Sequence, residues 1–573
     1  MNKIQVMSDV LANKIAAGEV VEKIASVVKE LVENSIDANS TEIKIELKES
    51  GVKEIVVTDN GDGMSVYDAK LAFERHATSK IYNDDDLFSI NTLGFRGEAL
   101  PSIASVSKVS LQTCDMNESV HIEYEAGIKK SEKTGTFRKG TEIRVKNLFY
   151  NTPARLKHMK SLYAEMAYVS DFVNKIALAH PNIKFMLIND SKTLLNTNGS
   201  GDLLKTIKDV FGFEISKNML EIKGDNFDYK VSGYVSMPEF NKSNRNSMVT
   251  IVNKRVVKNN ELNKYINEAY KGYKPDNRYP IVVLNFEVDP TLVDVNIHPT
   301  KMDIKFSKLD KLGDFLSTLI KESLDSKNMT LKVKNKEVEK ESEYESISFD
   351  FDYVEEKQLS SNLEKEEKQE IDLKEEKLRM PKMYVVGLAL GSYIVCQNEN
   401  GMYLVDQHAA KERINYEFYL NKMSNPSNYK IDMAVPMTLE FQSSEYLVLK
   451  ENLSVLENLG FDIEEFGINS LIVKAHPTWL ASGFEAESIN KIIETILSYE
   501  KKFSIERFID SAATNLSCKM SIKANTNIDI KEMESLLADL RKCNNPFNCP
   551  HGRPTVIIFT NYELEKMFKR TGF

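Results

Sequence analysis

Residues 27–38 read Val-Val-Lys-Glu-Leu-Val-Glu-Asn-Ser-Ile-Asp-Ala, and together with the two strands after them they decide the fold of the first half of the chain. Val20, Val21, Ile24, Val27, Val28, Leu31, Val32 and Ile36 recur at helical spacing, which predicts a helix with one face in a core. Glu30 and Asn34 are four residues apart and share a face of that helix. A carboxylate beside an amide oxygen suits activation of water and coordination of Mg²⁺ against phosphates. Ile43, Ile45 and Leu47 then alternate with Lys44, Glu46 and Lys48, the period of a half-buried strand. Gly51 turns the chain into a second strand, Ile55-Val56-Val57-Thr58. Helix, strand, strand and glycine-rich loop predict an α/β sandwich with helices on one face of a mixed sheet.

Two loops extend this pattern. Asp59-Asn-Gly-Asp-Gly-Met64 comes after the second strand, where Gly61 and Gly63 let the backbone approach a ligand and Asp59 can accept a hydrogen bond from an exocyclic amine. Leu93-Gly-Phe-Arg-Gly-Glu-Ala-Leu100 offers flexible glycines and N–H groups opening a predicted helix, which suits phosphate. Each piece alone reads equally well as a turn or a capped helix. No Gly-x-x-x-x-Gly-Lys-Ser/Thr stretch occurs, which excludes a P-loop.

Together the three pieces resemble the GHKL ATPases. Within that group the chain resembles the MutL family of DNA mismatch-repair proteins. The resemblance rests on Ile15–Val21, Val27–Ser35, Arg75-His-Ala-Thr-Ser-Lys80, Gly94–Leu100, Gly140-Thr141 and Leu148-Phe-Tyr-Asn-Thr-Pro-Ala-Arg155, in that order. It implies a Bergerat ATPase fold in which Glu30 is the general base for attack on the γ-phosphate, Asn34 holds Mg²⁺ and Asp59 binds adenine. It also implies that Gly61, Gly63, Thr78 and Thr141 line the ATP site and that Gly94, Arg96 and Gly97 belong to a lid. Val295-Asn-Ile-His-Pro-Thr-Lys301 is similar to the family segment whose lysine reaches the γ-phosphate, a role implied for Lys301. One departure is Ile24, where the family commonly has proline; its loss would loosen the helix start slightly.

Length and composition bound the rest. A chain of 573 residues is too long for one core. No apolar run is long enough to span a membrane, and Met1–Ser8 lacks the layout of a secretory signal. Five cysteines in so long a chain do not make a disulfide framework, so a reducing cytoplasm is expected. Residues 331–380 carry 16 acids against 10 bases, with no glycine or proline, and read as a flexible acidic linker. Residues 1–330 balance at 45 of each sign. Seven Lys or Arg within residues 254–278 suggest either a basic edge for phosphate contacts or a solvated helix face. The resemblance implies an α+β/α/β, multidomain architecture, with an ATPase domain over 1–205 and an α/β transducer over 206–328, similar to domain 2 of ribosomal protein S5. The linker over 329–380 and an α/β dimerisation and endonuclease domain over 381–573 complete it.

The last domain holds a second constellation, Asp406-Gln-His-Ala-Ala-Lys-Glu-Arg-Ile-Asn-Tyr-Glu417. Asp406 ends a predicted strand (403–405), and His408 and Glu412 share a helix face four residues apart. Cys549 and His551, in a turn constrained by proline and glycine, can point at one metal, and Cys518 would add a thiolate. Zinc favours the thiolates and imidazoles, whereas Mn²⁺ or Mg²⁺ prefers oxygens such as Asp406 and Glu412. A structural zinc site or a metal-free dimer core would use the same residues. Residues 406–417 match every fixed position of the motif Asp-Gln-His-Ala-x-x-Glu-x-x-x-x-Glu in family members that cut DNA, and Ser517–Ala524 and Cys549–Pro554 agree.

The resemblance thus implies a cytoplasmic, nucleoid-associated bacterial repair protein. It would be a homodimer that binds double-stranded DNA, hydrolyses ATP, nicks a strand and answers to a MutS-type mismatch recognition protein. The sliding-clamp segment Gln-x-x-Leu/Ile-x-Pro appears as Ile431-Asp-Met-Ala-Val-Pro436, without its glutamine. A non-nuclease matchmaker remains the main alternative. A topoisomerase subunit or chaperone would share only the nucleotide site.

Overall fold

The computed structural model describes residues 21–80, 92–94, 97–157, 159, 161–275, 278–294, 304–325, 379–426, 429–499, 504–521 and 528–570. Arg96, Lys301, the stretch Ile15–Val20 and nearly all of the expected linker lie outside the described residues.

Helix α1 (Ile24–Asp37) buries Ile24, Val27, Val28, Leu31, Val32 and Ser35, as its period predicts. Ile24, standing where proline was expected, is fully buried and packs against Gly51, whose positive φ of 95° no branched residue would adopt. Its burial contributes about 2 kcal/mol, which offsets the missing proline constraint. Strands β1 (Glu42–Lys48) and β2 (Glu54–Asp59) pair antiparallel. They join β3 (Lys108–Cys114), β4 (Ser119–Glu125), β5 (Ile128–Thr134), β6 (Gly140–Lys146), β7 (Lys184–Asn189) and β8 (Lys192–Asn196) in an eight-stranded sheet of order β5-β4-β3-β6-β2-β1-β7-β8. Only β1 and β7 run parallel within it, so the sheet is mixed, as expected. In β1, Ile43, Ile45 and Leu47 are buried while Lys44 and Glu46 are not, so one face takes the core. Helices α2 (Ala99–Ser105) and α3 (Leu162–Ala179) pack with α1 on that core.

The expected boundary between 205 and 206 falls inside α4 (Leu203–Phe211). Beyond it, β9 (Met219–Asp225), β10 (Tyr229–Ser236), β11 (Met248–Val252), β12 (Arg255–Val257) and β13 (Val282–Val288) form a sheet of order β12-β11-β13-β10-β9. Helices α5 (Asn260–Ala269) and α6 (Leu309–Asp325) close its own core through Leu262, Ile266, Leu312 and Leu316. The seven basic residues of 254–278 do not make one edge. Arg255 donates to the Thr92 carbonyl, Lys264 pairs with Glu268 along its helix, and Arg278 is engaged by Glu494.

The C-terminal part runs β14 (Tyr384–Ala389), β15 (Tyr393–Asn398), β16 (Gly401–Asp406) and α7 (Gln407–Ser424), then β17 (Lys430–Glu440), α8 (Ser443–Glu451), β18 (Asp462–Glu465) and β19 (Ser470–Pro477). Helices α9 (Glu485–Leu497), α10 (Ile505–Ser521) and α11 (Ile530–Lys542) and strand β20 (Val556–Thr560) complete it. Two compact units result: residues 1–326 with 415–520, and residues 327–414 with 521–573. The expected single domain at 381–573 therefore contributes to both. In the second unit the antiparallel sheet β14-β15-β16-β20 packs α11 over Ile394, Cys396, Tyr403 and Val405. In the first, the sheet β17-β19-β18 carries α8 and α9, and Tyr446, Leu447, Leu471 and Ile489 share one core with α3. No described helix is long and apolar enough to cross a membrane.

Candidate functional site

Two sites emerge, one in each unit. In the first, Asp59 ends β2 and is buried beneath α1. Its Oδ1 accepts from the Gly61 N–H at 2.9 Å and the Thr141 N–H at 3.1 Å, and its Oδ2 accepts from Ser35 Oγ at 2.8 Å. Burial pushes the carboxyl up from its ordinary value, and these donors only partly counter it. One lone pair of Oδ2 remains for an incoming amine. Gly140 makes the approach of Thr141 possible: at φ 102°, an added Cβ would lie 2.2 Å from the Asp59 carbonyl oxygen. Gly63, at φ 74°, would place a Cβ 2.0 Å from the Cys114 carbonyl, and a Cβ on Gly61 would meet the Ala38 carbonyl at 2.6 Å. Both glycines are required by close backbone approach.

One turn after the half-buried Glu30, Asn34 faces the ammonium of Lys80, with Oδ1 2.9 Å from Nζ. Lys80 also reaches Asp37 Oδ2 at 2.5 Å. The Asp37 carboxylate in turn accepts from the Leu93 and Gly94 N–H groups at 3.0 and 3.2 Å. Gly97, at φ 63°, accepts from the His76 N–H at 3.2 Å, and Thr78 Oγ1 accepts from the Lys80 N–H at 3.2 Å. The 75–80 and 93–100 stretches are thus tied to each other and to α1. Since the Asn34 oxygen already points at a cation, the donor chemistry fits Mg²⁺.

In the second unit, β16 delivers Asp406 to the start of α7, where its Oδ1 accepts from the His408 and Ala409 N–H groups at 2.9 and 3.1 Å. One turn on, Glu412 is almost fully buried. His408 Nε2 lies 3.3 Å from its Oε1, and His551 Nδ1 lies 3.4 Å from its Oε2. Ligand atoms of Glu412, Cys549 and His551 all lie within 4.8 Å of one another. The turn that presents the last two closes with the Cys549 N–H donating to the Arg553 carbonyl at 2.8 Å and the Gly552 N–H to the Cys549 carbonyl at 2.9 Å. Burial pushes the Cys549 thiol up, against the pull of the Arg553 and His551 N–H groups. A buried carboxylate, a thiol and imidazoles converging fit a zinc-type donor set. Cys518 lies near the end of α10, in the other unit.

Three residues escaped the sequence reading. Asp37 had a legible signal, since it is three residues after Asn34 on the same helix face. Lys80 lay in a quoted stretch without a role. Arg255 was read only as one of the seven bases of 254–278, and nothing near it in sequence pointed to its bond with the Thr92 carbonyl, 163 residues away.

Comparison with known proteins divides the chain into three matched segments. Residues 22–148 match the family described as histidine kinase-, DNA gyrase B- and HSP90-like ATPases. Residues 207–325 match the C-terminal domain family of DNA mismatch repair proteins. Residues 386–528 match the MutL C-terminal dimerisation domain. The DNA mismatch repair protein MutL of Listeria innocua is 45% identical over 98% of both chains. That of Anoxybacillus flavithermus is 43% identical over the full length of both. A solved N-terminal domain of a DNA repair protein is 30% identical, covering 55% of this chain and 98% of its own at a TM-score of 0.48.

Proposed function

The chain belongs to the MutL family of DNA mismatch repair proteins, as an ATPase with a dimerisation domain, and on that footing we propose that it is an ATP-gated homodimeric clamp that also nicks DNA. In this reading Glu30 takes the proton of the water that attacks the γ-phosphate. Asp59 accepts from the adenine amine through its remaining lone pair, and the Ser35, Gly61 and Thr141 donors hold it in place. Asn34 supplies an oxygen to Mg²⁺. With phosphate present, Lys80 has a stronger anionic partner than the Asn34 amide, and its departure leaves the Asn34 oxygen open to the metal ion while Asp37 keeps its hold on the Leu93 and Gly94 N–H groups. Gly97 and Thr78 would face the phosphates, and Arg96 and Lys301, outside the described residues, keep the roles that the resemblance implies for them.

The observation that carries the nuclease reading is the buried Glu412 with Cys549 and His551 around it. An ionised carboxylate this buried needs a positive partner. Glu412, Cys549 and His551, with His408 and Asp406 beside them, would hold Zn²⁺ and Mn²⁺ or Mg²⁺. Bound there, the ions would supply Lewis acidity to phosphodiester cleavage. For its part Asp406 spends Oδ1 on the helix N–H groups, while Glu412 is oriented by the two imidazoles.

Homodimerisation is favoured by the outer face of the second unit's sheet. There Val395, Leu404 and Ile557 stand in register across three strands, with Ile557 49% exposed. Double-stranded DNA and a MutS-type partner come with the family. A sliding clamp has a handle in β17. The ladder to β19 jumps from Asp432–Ala475 to Met437–Val473, so Met433–Pro436 bulge outward with Val435 79% exposed. The setting would be the cytoplasm, at the nucleoid.

A supercoiled-plasmid assay with purified protein tests the proposal. Relaxed circles formed with Mn²⁺ support it. No nicking with Mn²⁺, Mg²⁺ or either plus Zn²⁺ would leave the matchmaker reading, in which the same ATPase recruits a separate enzyme.

A further inference from the structure

Residues 430–497 form a subdomain (β17, α8, β18, β19 and α9) that lies within the first unit, against both its ATPase part and its transducer part. On the ATPase side, the buried Ser443 is held by Ser170 and Asn174 of α3, the latter donating at 3.1 Å. Lys192 of β8 contacts Glu465 and donates to the Tyr446 hydroxyl at 2.6 Å, over a ring that is itself fully buried. On the transducer side, Lys242 pairs with Glu445 at 2.9 Å, and Arg278 grips Glu494 with two bonds of 2.6 and 2.7 Å.

The polarity is consistent across the contact. The N-terminal part offers Lys192, Lys242 and Arg278, and the subdomain offers Glu465, Glu445 and Glu494. Such one-sided complementarity, with buried hydroxyls at its centre, marks an evolved fit between two surfaces. Lys192 belongs to the ATPase part and Lys242 and Arg278 to the transducer part, so acids of one subdomain tie both parts together. The hydrogen bonds of Lys192 and Lys450 hold the Glu465 carboxyl down at about 2, so this acid stays charged at any physiological pH.

We propose that residues 430–497 are an intramolecular brace: docked, they fix the transducer against the ATPase domain, and their release accompanies the movement that ATP turnover requires. The brace rests on the ATPase function of the family and adds to it a segment outside the nucleotide site. Its occupant is this chain's own subdomain. Docking leaves Met433–Pro436 on the exposed bulge of β17. A partner that seizes that bulge would therefore be coupled to turnover.

The test uses the full-length protein. A zero-length carbodiimide should join Lys242 to Glu445 and Lys192 to Glu465, read by mass spectrometry of peptides from a mixture of isotopically light and heavy chains. Wild type should give these links within one isotopic chain, and saturating non-hydrolysable ATP should lower their yield at least threefold. Glu494→Arg should weaken the links and raise steady-state ATP hydrolysis at least threefold. The swap Arg278→Glu with Glu494→Arg should restore both, which a merely misfolded variant could not do. Absence of the links in wild type, or links only between light and heavy chains, would overturn the intramolecular dock. Links lost in Glu494→Arg with hydrolysis unchanged would overturn the coupling. A wild type that hydrolyses no ATP at all would instead count against the ATPase reading, whatever the links show.

Discussion

Asp406 offers the sharpest separation of structure from chemistry, because one carboxylate is assigned two tasks. Its Oδ1 caps α7 through the His408 and Ala409 N–H groups at 2.9 and 3.1 Å. Asparagine caps a helix about as well as aspartate, so Asp406→Asn loses chiefly the charge–dipole attraction, about 0.3–1 kcal/mol. Asp406→Ala loses the cap as well, for a total of about 1–2.5 kcal/mol. At about 2–4 °C per kcal/mol, the melting transition of the C-terminal part should fall by about 1–4 °C for Asn and by about 2–10 °C for Ala. Nicking should fall by about 100-fold or more in both, a barrier change near 2.7 kcal/mol. Plasmid nicking with Mn²⁺ and a calorimetric scan on the same preparations measure the two quantities. Asp406→Asn with nicking within about threefold of wild type would refute the reasoning and leave Asp406 as a helix cap only.

The same geometry sets other outcomes. Glu30→Ala should bind ATP with unchanged affinity yet release phosphate about 100-fold or more slowly, and unchanged turnover would remove Glu30 as the base. Cys549→Ser should lower zinc content per chain, by atomic emission, while leaving ATP hydrolysis intact; full zinc retention counts against the cluster. Burial would raise Glu54, but hydrogen bonds from Lys48 and Arg144 hold it at about 2, well below its ordinary 4.5. A depressed carboxyl stabilises the fold above the ordinary value and loses that contribution as pH falls from 4.5 towards 2. Arg144 and Lys48 are partly exposed, so screening trims the effect to about 1 kcal/mol. Arg144→Ala should accordingly shift acid unfolding, tracked by circular dichroism, to higher pH, and an unchanged midpoint speaks against the pair. Gly140→Ala should weaken ATP binding about tenfold or more by displacing Thr141 or Asp59, measured by titration calorimetry; wild-type affinity would contradict the close approach.

Local patterns carried far in this chain. The apolar period around Val27–Val32 and the alternation at 43–47 were readable because each encodes contacts within a few residues, and Gly63 and Gly97 because each takes a positive φ, although what crowds Gly61 and Gly63, Ala38 and Cys114, lies far off in sequence. The junction of β16 with α7 was equally legible, since strand period gives way to helical period at Asp406. The cluster at Glu412 was legible in part: His408 comes from helical spacing, while Cys549 and His551 entered through resemblance and a constrained turn.

The sequence by itself thus determined the family, the two constellations and the strands and helices that carry them. Tertiary structure alone decided that Lys80 faces Asn34 and Asp37, that Arg255 reaches Thr92, and that residues 430–497 dock on the N-terminal part instead of closing one unit with 384–414 and 528–570. The physical reason is sequence separation. Periodicity and turn chemistry report on neighbours along the chain, whereas an ion pair such as Arg278–Glu494, 216 residues apart, exists only once two surfaces have met. Nothing in either residue's surroundings along the chain distinguishes it from a solvated charge.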